Sequence, residues 1–183
     1  MDFALAGPWF GIAASSVALT IGLDLTAAAT PDAAAYFPAL PTSFLQASSL
    51  VASVVDSTLQ NGLLQISNPA TPIYLHPLAV AGYAGLMINA LNLTPFGRTD
   101  GGRIALAMFG RSGAQILSLV TLISLLVAGF VGNDSFLTYF LFVSFFQGEL
   151  ELPLRDESDS LDVSRIVLGL VTAAFVLLTL IPV

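Results

Sequence analysis

One polar stretch interrupts an otherwise apolar chain, and it carries the residue types that could do chemistry. It reads Asn-Leu-Thr-Pro-Phe-Gly-Arg-Thr-Asp-Gly-Gly-Arg over residues 92–103, between apolar runs at residues 77–93 and 104–109. Asp100 supplies a carboxylate and Asn92 an amide. Because ionisable residues at membrane depth are costly, this position predicts a functional site at Asp100. The residues leave one alternative open, an exposed carboxylate in an ordinary loop beside the membrane.

Pro95 predicts that a helix entering this stretch ends here, because proline has no N–H to donate and clashes with the preceding turn. Backbone carbonyls freed in this way cannot face lipid. We therefore expect water, a lipid head group, a cofactor or a neighbouring subunit to fill a vacancy beside the turn. Arg98 or Arg103 could also fold back to pair with Asp100.

The composition indicates a membrane protein. Apolar residues make up 56% of the chain and charged residues 9%, with a mean hydropathy of +0.88. Soluble domains usually carry roughly 25% charged residues. The net charge of −7 and the absence of lysine argue against a nucleic-acid partner. The absence of cysteine excludes disulfides and thiol chemistry.

The apolar pattern predicts an all-α, polytopic membrane protein that forms a single membrane domain over residues 1–183. A long extramembrane loop is expected at residues 24–75, with an amphipathic helix over residues 43–64 that begins at Ser43 as its N-cap. Further loops are expected at residues 94–112, around the polar stretch, and at residues 149–162, which are acidic. Five crossings are predicted, at residues 3–23, 77–93, 113–131, 136–146 and 163–183.

The fourth of these segments is short for a crossing, and the arginines favour that it crosses. If it does, every arginine lies on one side of the membrane and four aspartates lie on the other. Positive residues favour the cytoplasmic or stromal side, which places the Asp100 loop there. The arginines are Arg98, Arg103, Arg111, Arg155 and Arg165.

The polar stretch resembles the C-terminal motif of the site-2 proteases, which are intramembrane zinc metalloproteases. The matching residues are Asn-Leu-Thr-Pro at 92–95 and Asp-Gly-Gly-Arg at 100–103, and Ala-Leu-Ala-Gly-Pro at residues 4–8 resembles a segment that follows the family's first catalytic helix. The phrase at residues 76–83 looks most like the plastid and cyanobacterial branch. The resemblance implies that Asp100 is a zinc ligand and that Asn92, Pro95 and Gly101 shape a substrate groove.

The chain departs from that family at the other zinc ligands. The family's His-Glu-x-x-His helix, which places two imidazoles on one face with a general base, is absent. The one histidine, His76, precedes Asn92 by sixteen residues, or about 24 Å of helix. As given, these residues cannot build a catalytic zinc site, so we expect no intrinsic cofactor.

Three functions follow from these observations. The first is a non-catalytic, site-2-protease-like subunit that packs with lipid and other membrane subunits, in a plastid thylakoid complex of the photosynthetic kind. The alternative is the C-terminal part of an active zinc protease whose catalytic helix lies elsewhere; a transporter is a weaker third. Chlorophyll or lipid could bind at interfaces, although the aromatic fourth segment favours plain lipid contact. The side chains that could ligate chlorophyll magnesium are His76, Gln46, Gln115 and Gln147.

Overall fold

Helices dominate the computed structural model, which describes residues 1–59, 72–131, 134–146 and 162–181. A single short ladder accompanies them in this part of the chain, with β1 (Ala39–Pro41) antiparallel to β2 (Pro72–Tyr74). The helices are α1 (Asp2–Ala27), α2 (Pro31–Ala34), α3 (Thr42–Gln46), α4 (Ser49–Thr58), α5 (Pro77–Asn92), α6 (Asp100–Val131), α7 (Asp134–Phe146) and α8 (Val163–Leu180).

Three of these helices are long and apolar enough to cross a membrane. They are α1, α8 and the Asp100–Phe130 part of α6. The predicted class, a helical membrane protein, is confirmed. The number of five crossings stays a prediction, because α5 has 16 residues and α7 has 13. Both are shorter than the roughly 20 residues that a perpendicular crossing takes.

The amphipathic helix predicted over residues 43–64 is divided in two. Its first piece is α3, which contains Ser43, so Ser43 is not the N-cap. The second piece, α4, is capped by Ser48, whose hydroxyl accepts a hydrogen bond from the Val51 N–H at 3.3 Å. The prediction failed because Ser48 adopts an extended conformation (φ −137°), which interrupts the helix. In this conformation its side chain accepts a hydrogen bond from a backbone N–H at the start of α4. Residues 60–64 lie outside the described residues.

The predicted loop over residues 94–112 is also wrong in extent. Only residues 93–99 form a turn, because α6 begins at Asp100. A second interruption follows at Gly110, whose φ of 67° lies in the left-handed region that glycine adopts readily. Gly110 therefore divides α6 into a first segment, residues 100–109, and a second segment, residues 111–131. Of the predicted acidic loop at residues 149–162, the structure describes only Asp162.

Backbone contacts divide the chain into two units, and whether they form one membrane domain stays a prediction. One unit comprises residues 9–91 and 174–183. Within it, small residues let α1 and α5 approach closely: a Cβ added at Gly82 would lie 2.3 Å from the Leu19 backbone nitrogen, and one at Gly22 would lie 2.1 Å from that of Ala79. Such contacts are typical of helices that pack in lipid.

In the same unit, the start of α4 is hydrogen-bonded to the end of α8. The Ser49 N–H donates to the Ile181 carbonyl at 2.8 Å, and the Ser49 hydroxyl donates to the Leu178 carbonyl at 2.7 Å. These bonds satisfy carbonyls that a helix end leaves without a partner inside the helix. The start of α4, within the long connection, is therefore held in this unit.

The other unit comprises residues 1–8 and 92–173. Arg165 near the start of α8 pairs with Asp2 at 2.9 Å. Asp162 caps α8: hydrogen bonds from the Ser164 hydroxyl and the Val163 N–H lower the pKa of its carboxyl. This unit contains the polar stretch that the sequence singles out.

Candidate functional site

The candidate site is the turn of residues 93–99 together with the first residues of α6, and Thr99 organises it. The Thr99 hydroxyl accepts a hydrogen bond from the Gly102 N–H at 3.1 Å, which caps the start of α6. The same oxygen lies 2.7 Å from the Thr94 carbonyl and 2.6 Å from the Phe96 carbonyl, to which it can donate. One buried hydroxyl therefore connects the turn to the helix that follows it.

The two glycines after Asp100 lie directly against the turn. A Cβ added at Gly101 would be 2.0 Å from the Leu93 carbonyl oxygen, and one added at Gly102 would be 2.2 Å from that of Gly97. Real side chains do not approach backbone atoms so closely. Glycine is therefore required at both positions for α6 to begin where it does, which is a structural reason for the Asp-Gly-Gly sequence.

Side chains from two other places in this unit also contact the turn. The Ser118 hydroxyl, in the second segment of α6, lies 3.4 Å from the Gly97 nitrogen, and the Thr121 hydroxyl lies 3.5 Å from the Pro95 carbonyl. From α7, the Tyr139 hydroxyl lies 3.1 Å from the Thr94 hydroxyl. The expected vacancy is wrong for two of the turn carbonyls, because those of Thr94 and Phe96 accept hydrogen bonds from the chain itself. For the Pro95 carbonyl it stays a prediction, because the Thr121 hydroxyl lies 3.5 Å away and donates to the Leu117 carbonyl at 2.9 Å.

Asp100 begins α6 and is partly accessible. Its carboxylate lies 3.6 Å from the Arg103 guanidinium, with 24% of the Asp100 side chain and 47% of the Arg103 side chain exposed. Arg103 is thus one of the two arginines expected to pair with this residue. The position suits a carboxylate, because the free N–H groups at a helix start favour negative charge.

His76 has a structural role in the other unit. It precedes α5, and its Nδ1 accepts a hydrogen bond from the Leu78 N–H at 3.2 Å. Its backbone N–H donates to the Thr26 hydroxyl at 2.9 Å, and its ring contacts Phe37 edge-on at a centroid distance of 5.3 Å. The chain itself therefore uses Nδ1, and pigment binding at His76 stays a prediction.

The remaining predicted residues fall into two groups. The turn brings together Asn92, Pro95, Asp100 and Gly101, with Asn92 exposed at the end of α5 and Pro95 half-buried. Gln46 in α3 and Gln115 in α6 are not part of the turn, and Gln147 lies outside the described residues. Pigment binding at these glutamines stays a prediction.

Sequence reasoning missed Thr99 and Tyr139. Thr99 had a recognisable signal, since a threonine directly before an acidic first helical residue is a common helix start. Tyr139 had none, because 45 residues separate it from Thr94 and only folding brings the two hydroxyls together.

A zinc site can be tested against these residues. Within the part of the chain that the structure describes, no three histidine, cysteine, aspartate or glutamate side chains come together. The sequence has one histidine and no cysteine. A catalytic zinc needs three protein ligands. Among the described residues, Asp100 with Arg103 beside it does not make such a site, and the expectation that the chain holds no zinc by itself stays a prediction.

Comparison with known proteins identifies the relatives of this chain. The Arabidopsis thaliana probable zinc metalloprotease EGY1, chloroplastic, is 32% identical over 183 residues, which is 100% of this chain and 32% of the relative. The chain belongs to the site-2 protease family. The Arabidopsis thaliana probable zinc metallopeptidase EGY3, chloroplastic, is 45% identical over 106 residues, or 58% of this chain and 18% of the relative.

A third relative of this site-2 protease homologue carries a different kind of name. The Arabidopsis thaliana DDT domain-containing protein PTM is 34% identical over 125 residues, which is 68% of this chain and 7% of the relative. The chain spans about a third or less of the length of each of these three relatives. No protein-family model matches the chain, and no solved structure matches it.

Proposed function

We propose that these residues act as a non-hydrolytic membrane module of the site-2 protease type in a plastid membrane, packing with lipid and with other membrane subunits. The observation that supports it best is that hydrogen bonds from the chain itself hold the turn. The Thr99 hydroxyl bonds the Thr94 and Phe96 carbonyls, and the Tyr139 hydroxyl contacts that of Thr94. The turn therefore keeps its shape without a metal, and Asp100 has Arg103 as a partner.

Two further observations support a packing role. Several large side chains of α7 and α8 are exposed, among them Phe145 at 81% and Val163 at 72%, and such faces in a membrane suit lipid or a neighbouring helix. The relative PTM also aligns with this chain over 125 residues, at 34% identity, although its name mentions no peptidase. We place the module in the thylakoid, with its arginine-bearing loops on the stromal side and a photosynthetic complex as its partner.

A second candidate function is the C-terminal part of an active zinc protease. The names of EGY1 and EGY3 support it, and the aligned region of EGY1 covers the whole of this chain. In that case Asp100 contributes one carboxylate, and the two imidazoles and the general base come from residues outside these 183. Because the Asp100 side chain is partly exposed, its carboxylate can turn from Arg103 toward such ligands.

Metal content and particle size distinguish the two candidates. The polypeptide that carries this chain is extracted gently from its native membrane, sized, and analysed for zinc. The packing role predicts a particle larger than the polypeptide itself with no bound zinc. Stoichiometric zinc that is lost on Asp100→Asn and kept on the control Asp162→Asn would instead establish the protease. Recovery as a monomer without zinc would contradict both candidates.

A further inference from the structure

α7 presents one face to the interior of its unit and one face outward. Phe136 is 9% exposed and Val143 is fully buried, whereas Phe142 and Phe145 are 51% and 81% exposed. Tyr139 lies between the two buried residues at helical spacing and is half-buried. A residue on the inward face of a helix has few rotamers available, so its hydroxyl is held in a defined place.

That place is beside the turn. The Tyr139 hydroxyl lies 3.1 Å from the hydroxyl of Thr94, which is buried and stands between Asn92 and Pro95. The other two links to the turn, from Ser118 and Thr121, measure 3.4 and 3.5 Å and are at the outer limit for hydrogen bonds. Of these three links, the one from Tyr139 is the shortest.

We propose that Tyr139 is a positioning residue for the turn. Its phenol holds Thr94 in place and so fixes the directions in which Asn92 and the Asp100 carboxylate face. This proposal rests on the proposed function in one respect, which is that the turn is the part of the chain that meets a partner. It gives the short helix α7 a second role, because α7 then supports the turn in addition to any crossing of the membrane.

The chain offers a clean probe of the position of the turn, because it contains no cysteine. Leu93→Cys places a single thiol at a buried position within the turn, and its rate of reaction with a soluble maleimide reports how often the turn opens. Tyr139→Phe in this background should raise the rate about fivefold, the change in an opening equilibrium that the loss of one ordinary hydrogen bond produces.

A double-mutant cycle separates positioning from general loosening. Thr94→Val should raise the rate by the same factor, and Tyr139→Phe should then have no further effect in the Thr94→Val background. A thiol at the buried residue Ala52, on α4 in the other unit, should keep its rate throughout. The proposal is overturned if Tyr139→Phe leaves the Leu93→Cys rate unchanged, acts equally with Thr94→Val present, or accelerates the Ala52→Cys probe as much. Neither zinc content nor particle size enters these readouts, so this test can fail while the proposed function stands.

Discussion

The Thr99 hydroxyl lies 2.7 Å from the carbonyl oxygen of Thr94, and both residues are buried. This contact joins the end of the turn to its beginning. The same hydroxyl caps α6 through the Gly102 N–H. Thr99 is therefore the side chain on which the shape of the candidate site most depends.

Replacing Thr99 with valine should destabilise the chain strongly. The substitution keeps the shape of the side chain but removes the cap, worth about 1–2 kcal/mol. It also removes a second hydrogen bond to the Thr94 and Phe96 carbonyls, which keep their backbone donors, at about 0.5–1.5 kcal/mol more. Thermal unfolding in a mild detergent, followed by circular dichroism, measures the effect. Thr99→Ser retains the hydroxyl and should cost less than about 1 kcal/mol. Equal unfolding temperatures for the two variants would contradict the role given to the hydroxyl.

A methyl group at Gly101 should be far more harmful than one at Gly7. The added Cβ at residue 101 would meet the Leu93 carbonyl oxygen at 2.0 Å, whereas at Gly7 no atom lies within 4 Å. Gly101→Ala should therefore cost about 3 kcal/mol or more through overpacking against backbone. Gly7→Ala should be neutral or gain up to about 1 kcal/mol of helix propensity. The comparison uses the same unfolding assay, and equal tolerance of both alanines would show that α6 does not begin against the turn.

The approach of α1 to α5 gives a test within the other unit. Gly82→Ala places a methyl group 2.3 Å from the Leu19 backbone nitrogen and should push the two helices apart. Ala84→Leu adds a larger group to the exposed side of α5 and should change little. Disulfide cross-linking between cysteines placed at Ser15 and Gly85 measures the approach, because a Cβ added at Gly85 would lie 3.1 Å from that of Ser15. Unimpaired cross-linking in Gly82→Ala would refute the close packing.

The direction of the chain across the membrane can be mapped with tags. Five crossings place Thr30, in the connection after α1, and Ser158, in the acidic stretch before α8, on opposite sides. We expect protease added to sealed vesicles to remove the Ser158 tag, and to remove the Thr30 tag only after the vesicles are opened. In vesicles of the opposite orientation, the order should be reversed. Cleavage of both tags from one face would remove one of the three crossings between them, by α5, α6 or α7.

The sequence by itself determined the membrane class, the approximate helices and the place of the candidate site. Long uncharged runs can satisfy their backbone only as helices in lipid, so their positions follow from composition alone. Pro95 ended α5 close to the predicted residue, because its missing N–H acts locally. The absence of a His-Glu-x-x-His motif is a property of the sequence alone, since it has one histidine and no cysteine, whereas the absence of bound zinc stays a prediction.

Only the tertiary structure decided how the turn is held. The Thr99 cap of α6 is local, but the packing of Gly101 and Gly102 against the turn depends on backbone atoms that meet in space. The approach of Ser118 and Thr121 to the turn is non-local, across 21 and 26 residues. Periodicity and propensity describe neighbours along the chain. The contact of Tyr139 with Thr94, 45 residues apart, forms only when the intervening helices fold back onto the turn.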